Sequence, residues 1–181
     1  LAYILKKTVV LVGMMGAGKT AVGTVLARML GVAFLDSDAE IEKAANLSVA
    51  EIFARNGEPF FREKESQVIA RLLQGPPSVL STGGGAYLAE QNRTEIARAG
   101  VAVWLSADVE LLWSRVRNKT TRPLLRTPDP KATLRELCAA RTPAYAMAEI
   151  EVAADAHLSI EDMAQKVIKA LLTRPDVLEE I

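Results

Sequence analysis

The feature that most constrains this chain is a glycine-rich turn between two apolar patterns of different period. Val9, Val10, Leu11 and Val12 form a continuous apolar run that reads as a buried strand. Val22, Val25, Leu26, Met29 and Leu30 then recur at helical spacing. Between them lies Gly13-Met14-Met15-Gly16-Ala17-Gly18-Lys19-Thr20, which fits G-x-x-x-x-G-K-[ST], the phosphate loop of nucleoside-triphosphate enzymes. The glycines let backbone N–H groups converge on a polyanion, and the helix start adds free donors and a positive dipole end. Lys19 supplies a point charge for the outer phosphates, and Thr20 offers a hydroxyl to a magnesium ion.

The same alternation continues along the chain. Strands are expected at Thr8–Val12, Ala33–Asp36, Val79–Thr82, Val101–Leu105 and Ile150–Val152, with helical periodicity between them. That order implies an α/β fold, a parallel sheet with helices on both faces. Ligands in such sheets gather beyond the carboxyl ends of the strands. No repeat, low-complexity tract or linker interrupts the 181 residues, which are expected to form one domain, 1–181.

Bulk properties exclude several classes. Twenty-two basic residues balance 22 acidic ones, so no basic field points to nucleic acid or an anionic membrane. No apolar run approaches the ~18 residues needed to cross a bilayer, and no signal peptide is visible. The one cysteine, Cys138, has no internal disulfide partner, which makes a reducing cytoplasm the expected location.

The residues just after each strand carry the candidate chemistry. In Asp36-Ser37-Asp38, residues two apart in an extended chain point the same way. One carboxylate could hold magnesium and the other accept a proton from an attacking hydroxyl. The alternative is helix capping, with Ser37 and Glu40 as a capping box. Ser48 and Glu51 form another such box, Gly57 is the expected helix stop, and Pro59 suits the start of a further helix carrying Phe60, Phe61, Arg62 and Glu65. Arg62 is either a surface arginine paired with Glu65 or a reader of an anionic substrate group.

Gly83-Gly84-Gly85 closes the third strand and would allow close approach of backbone to a ligand. Ser106 is expected to cap a helix bearing Val109, Leu112, Trp113 and Val116. The basic, proline-rich segment 117–130 has the composition of a loop, and over a phosphate site it suits a lid. Arg141 falls before Pro143, at an expected helix end. His157 reads as surface decoration, and the C-terminal helix, with Ile160, Met163, Val167 and Ile168, reads as packing.

Taken together, Gly13-to-Thr20, Asp36-Ser37-Asp38, Phe61-Arg62, Gly83-Gly84-Gly85, Arg122-Pro123-Leu124-Leu125 and Arg141-Thr142-Pro143-Ala144-Tyr145 resemble the shikimate kinase family over almost the whole chain. The resemblance implies a nucleoside-monophosphate-kinase-like P-loop fold with a five-stranded parallel sheet in order 2-3-1-4-5, a substrate region near 37–66 and a lid near 117–130. It implies Mg²⁺-dependent transfer of the ATP γ-phosphoryl to the 3-hydroxyl of shikimate by a cytoplasmic monomer.

Carried over by position, Gly13, Gly16, Ala17, Gly18, Lys19, Thr20 and Ala21 would bind ATP, with Arg115 by the adenine. Thr20 and Asp36 would hold the metal. Asp38, Arg62, Gly83, Gly84, Gly85 and Arg141 would bind shikimate, with Glu65 behind Arg62. Asp38, Lys19 and Arg122 would be catalytic. Ala144 stands where the family more often has leucine, and the segment 154–159 has no pattern that aligns with the family's adenine loop. Two other readings stand beside this one: a gluconate kinase-like enzyme of the same fold, and a nucleotide-binding module without catalysis.

Overall fold

The computed structural model describes residues 2–118 and 126–181. Its elements in chain order are β1 (Tyr3–Leu5), β2 (Thr8–Val12), α1 (Lys19–Leu30), β3 (Phe34–Asp36), α2 (Ser37–Ala45), α3 (Val49–Leu73), β4 (Val79–Ser81), a 3₁₀ turn (Ala86–Leu88), α4 (Glu90–Ala99), β5 (Gly100–Ser106), α5 (Val109–Val116), α6 (Pro130–Tyr145), β6 (Ile150–Ala153), α7 (Ile160–Leu171) and β7 (Leu178–Glu180).

Five strands form a parallel sheet in spatial order β3-β4-β2-β5-β6. Numbered among themselves along the chain, they run 2-3-1-4-5. Val9 of β2 is flanked by Val79 on one side and Val101 on the other. Val9 through Val12 are all 0 % exposed, although successive side chains point to opposite faces. Both faces of the central strand are therefore covered, as parallel crossovers require. Helix α1 packs on α7, and α3 on α4.

A second, smaller cluster of Ile41, Ile52, Phe61 and Val68 lies under α2 and α3. It fixes the segment that carries Asp38, Arg62 and Glu65 without drawing those polar groups into the main core. Gly57 has φ 82 and ψ 171, so α3 is two helical stretches joined at a kink, as the Gly57 and Pro59 signals suggested. The Ser48–Glu51 capping box is formed.

Several local expectations are corrected. The cap of α2 is Asp36, whose Oδ1 accepts the Ala39 N–H at 3.0 Å; Ser37 is buried inside the first turn. The cap of α5 is Asp108, 2.8 Å from the Leu111 N–H, because β5 continues through Ser106, whose hydroxyl bonds Glu151 instead. Helix α6 runs through Pro143 to Tyr145, so Arg141 is inside the helix rather than at its end. Pro143 forgoes an N–H bond to the Ala139 carbonyl and crowds that carbonyl one turn earlier, yet the helix continues for two residues beyond the proline. The sheet-independent pair β1–β7 is antiparallel, Tyr3 opposite Glu180, and had no strand-like pattern in the sequence.

Candidate active site

A cavity of about 790 Å³ opens at the carboxyl ends of β2, β3 and β4. Its floor is the phosphate loop. Gly18, at the start of α1, has φ 99, a backbone conformation natural to glycine and costly for side chains. Gly16 has φ 84. These turns place loop and helix start against the cavity, which Gly16, Ala17, Gly18, Lys19, Thr20 and Ala21 all line. Lys19 Nζ donates to the carbonyls of Gly13 at 2.6 Å and Met14 at 3.0 Å. The ammonium is thus held over its own loop, where an anion would arrive. Gly13 itself supports the floor from behind: a Cβ there would sit 2.8 Å from the Leu105 carbonyl oxygen.

Arg115 of α5 donates from Nη1 to the Gly16 carbonyl at 2.9 Å. It lines the cavity together with Ala154, Leu158, Ile160 and Met163. The first turn of α7 and the segment before it therefore form an apolar wall beside the loop. The periodicity of Ile160 and Met163 indicated packing alone; a helix that packs along one side can still present its N-terminal turn to a cavity.

On the other side of the loop, Asp36 and Asp38 both line the cavity. They converge because β3 passes directly into α2, not because the two residues share an extended strand. Asp38 Oδ1 is buried without a hydrogen-bond partner among the described residues. Burial, reinforced by the neighbouring charge of Asp36, pushes the Asp38 carboxyl above the usual carboxylate range, against the opposing pull of Lys19 and Arg62.

The three glycines after β4 explain how the remaining groups fit. A Cβ on Gly83 would sit 2.9 Å from Asp38 Oδ1, and one on Gly84 would sit 2.6 Å from Arg141 Nη1. One on Gly85 would collide with the Arg62 guanidinium. Each glycine thus makes room for one charged side chain, and the three charges share one hollow. Arg141 is 9 % exposed. Arg62 Nη1 donates to Glu65 Oε1 at 2.9 Å, with Glu65 1 % exposed. Burial pushes the Glu65 carboxyl up, opposed chiefly by Arg62. Phe53 and Phe61, with ring centroids 4.7 Å apart, complete this end of the cavity.

A family model described as shikimate kinase matches residues 15–172. The chain belongs to the shikimate kinase family. The shikimate kinase of Cereibacter sphaeroides is 67 % identical over 175 residues, covering 97 % of this chain and 87 % of its own length. That of Ruegeria pomeroyi is 66 % identical over 178 residues, 98 % and 91 % of the two chains. A solved shikimate kinase from Acinetobacter baumannii, in complex with shikimate, superposes with TM-score 0.87 at 39 % identity, over 92 % of this chain and 93 % of that one. A gluconokinase from Sinorhizobium meliloti, at 16 % identity and TM-score 0.61, shares the fold alone, over 93 % of each chain.

In this kinase, the cavity brings together Gly16, Ala17, Gly18, Lys19, Thr20, Ala21, Asp36, Asp38, Arg62, Gly83, Gly84, Gly85, Arg115 and Arg141. Gly13 lies just outside the lining, under Lys19. Arg122 and the centre of the expected lid lie outside the described residues. Among the described residues no cluster of three or more histidine, cysteine or acidic side chains could by itself hold a metal, and no helix is long and apolar enough to cross a membrane. Residue-level reading passed over Phe53, Tyr145 and the apolar wall from α7. For Tyr145 a signal existed: it is four residues after Arg141 and shares its helix face.

Proposed function

We propose that this kinase transfers the γ-phosphoryl group of ATP to the 3-hydroxyl of shikimate, and that its residues divide the work as follows. The observation that carries the reading is the single hollow beside the phosphate loop into which Asp38, Arg62 and Arg141 converge, each against its own glycine. Two guanidinium groups and one carboxylate suit a small acid that also bears hydroxyls. Arg62 and Arg141 hold the acceptor's carboxylate. Glu65 keeps the Arg62 fork in place by its 2.9 Å bond. Asp38, whose side chain lines the cavity, accepts from the attacking hydroxyl, and its raised pKa makes it a better proton acceptor than an ordinary carboxylate.

Phosphoryl transfer depends on alignment and charge neutralisation more than on covalent help. The loop amides and Lys19 hold the triphosphate, and Arg122 on the lid, 117–130, adds positive charge and helps exclude water. Arg115 and the apolar wall of Leu158, Ile160 and Met163 bound the side where the base would lie. The hydroxyl of Thr20 and the carboxylate of Asp36 offer hard oxygen donors beside the loop, a set that fits Mg²⁺ with water completing its shell. Bound there, the ion would offset negative charge on the phosphates.

We further propose one domain over 1–181, acting as a monomer in the cytoplasm, where ATP is at hand. Large exposed apolar side chains such as Ile4 in β1, Leu88 in the 3₁₀ turn and Met147 between α6 and β6 are scattered along the sequence. A coupled assay with purified protein and Mg-ATP tests the activity. Shikimate should drive ADP release and gluconate should not; ADP release with gluconate alone would overturn the assignment.

A further inference from the structure

Tyr145 adjoins the acceptor end of the site without lining its cavity; it borders a neighbouring cavity of about 380 Å³ together with Met14 and Thr142. Its side chain is 1 % exposed and lies against Trp104 of β5, ring centroids 6.0 Å apart. The hydroxyl donates to the Gly84 carbonyl at 2.5 Å and sits 3.9 Å from Met14 Sδ in the phosphate loop. Arg141 is four residues earlier on the same face of α6. A Cβ on Gly84 would meet Arg141 Nη1 at 2.6 Å and the Tyr145 hydroxyl at 3.7 Å. Gly84 is therefore gripped between two side chains of one helix.

The peptide plane gives this grip a consequence. In a trans peptide, the C=O of one residue and the N–H of the next point in opposite directions. Fixing the Gly84 carbonyl on Tyr145 turns the Gly85 N–H to the far side. Among the described residues no acceptor takes that N–H, and Gly85 lies directly against the Arg62 guanidinium.

We propose that Tyr145 is a positioning residue: it locks the Gly84–Gly85 peptide so that the Gly85 N–H is offered to an oxygen of the acceptor, beside the Arg62–Arg141 pair. Tyr145 itself touches no substrate. The inference rests on the reading of this hollow as the shikimate site.

The test is Tyr145→Phe in the full chain, compared with wild type by steady-state kinetics. Phenylalanine keeps the ring against Trp104 and removes the hydroxyl, which donates to the Gly84 carbonyl and also interacts with Arg141. The shikimate KM should rise ~10-fold, the scale of one lost hydrogen bond that leaves its acceptor unsatisfied, while the ATP KM stays within about twofold. An unchanged shikimate KM in a folded variant overturns the proposal, as does an equal rise in both KM values. Wild-type protein labelled with ¹⁵N-glycine gives a reading that does not depend on the variant's folding. Saturating shikimate should shift the Gly85 amide resonance, and a stationary resonance overturns the proposal. Wild type without shikimate-dependent turnover would remove the underlying site reading, whereas active wild type with an indifferent Tyr145→Phe removes only this role.

Discussion

Replacing Arg62 by alanine separates two jobs that one guanidinium does. Its Nη1 is bonded to Glu65 Oε1 at 2.9 Å, and its side chain is 32 % exposed while that of Glu65 is 1 % exposed. Arg62 Nε donates to Glu58 Oε1 at 3.4 Å, and the guanidinium lies against Gly85 in the hollow shared with Arg141. A charge-assisted hydrogen bond contributes roughly 1.5–3 kcal/mol, so loss of the carboxylate grip should raise the shikimate KM by about 10- to 150-fold. The ATP KM should stay near wild type.

The second effect is on stability. Without Arg62, the buried Glu65 carboxylate loses its one described hydrogen-bond donor, its Oε2 being already unpartnered. Removing one member of a fully buried pair costs about 3–5 kcal/mol, and the partial exposure of Arg62 brings the expected loss to roughly 1–3 kcal/mol. The sign with pH follows from burial. The Glu65 pKa is already raised in the native state, and loss of Arg62 raises it further. The folded protein then binds more protons than the unfolded chain between the two pKa values, so stability falls as pH rises. The deficit of Arg62→Ala should therefore be small near pH 4, the usual carboxylate range, and grow as pH rises through the native Glu65 value. Urea unfolding across that range measures it. Adding Glu65→Gln should recover most of the stability at neutral pH and none of the shikimate KM. An Arg62→Ala protein with wild-type shikimate KM, or a deficit that ignores pH, refutes the reasoning.

The other expectations are shorter. Asp38→Asn should lower kcat by about 10²- to 10⁴-fold with little change in ATP affinity. It should also abolish the acid limb of the wild-type pH profile, along which activity rises as Asp38 loses its proton above the usual carboxylate range. Gly84→Ala places a methyl 2.6 Å from the Arg141 guanidinium, and the buried arginine has little room to yield; shikimate binding by calorimetry should weaken by about 5- to 150-fold, an overpacking cost on the order of 1–3 kcal/mol. Chelation of divalent ions should abolish turnover, and added Mg²⁺ should restore it, with the restoring concentration raised in Asp36→Ala.

How much of this was legible along the chain depended on distance. The phosphate loop and β2 were readable because strand, loop and helix are contiguous, and Thr8–Val12 matches its expected bounds. The other sheet strands shifted by a residue or so at their ends. At both expected serine caps a neighbouring aspartate, Asp36 or Asp108, takes the cap, because the strand ends decide where each helix begins. Strands β1 and β7 were invisible for another reason. Three residues each, they are defined by pairing between opposite ends of the chain.

The site shows the same gradient. Asp36 and Asp38 announced themselves as neighbouring carboxylates after a strand. Residue by residue, Arg141 read as a surface charge at a proline break, and only the family resemblance pointed it at the substrate. Its burial and its approach to Gly84 arise from tertiary packing across more than fifty residues. The Tyr145–Gly84 bond spans 61 residues and leaves no local trace. The triple glycine suggested close approach to a ligand, and the structure gives it a second purpose: space for Asp38, Arg141 and Arg62.

The account turns on three charges meeting one acceptor beside the phosphate loop, and a crystal structure of the protein with shikimate and ADP tests that most directly. The expected result is a carboxylate between the guanidinium groups of Arg62 and Arg141, with a ring hydroxyl on Asp38 facing the nucleotide. Shikimate bound elsewhere, or turned so that Asp38 touches none of its hydroxyls, would contradict it.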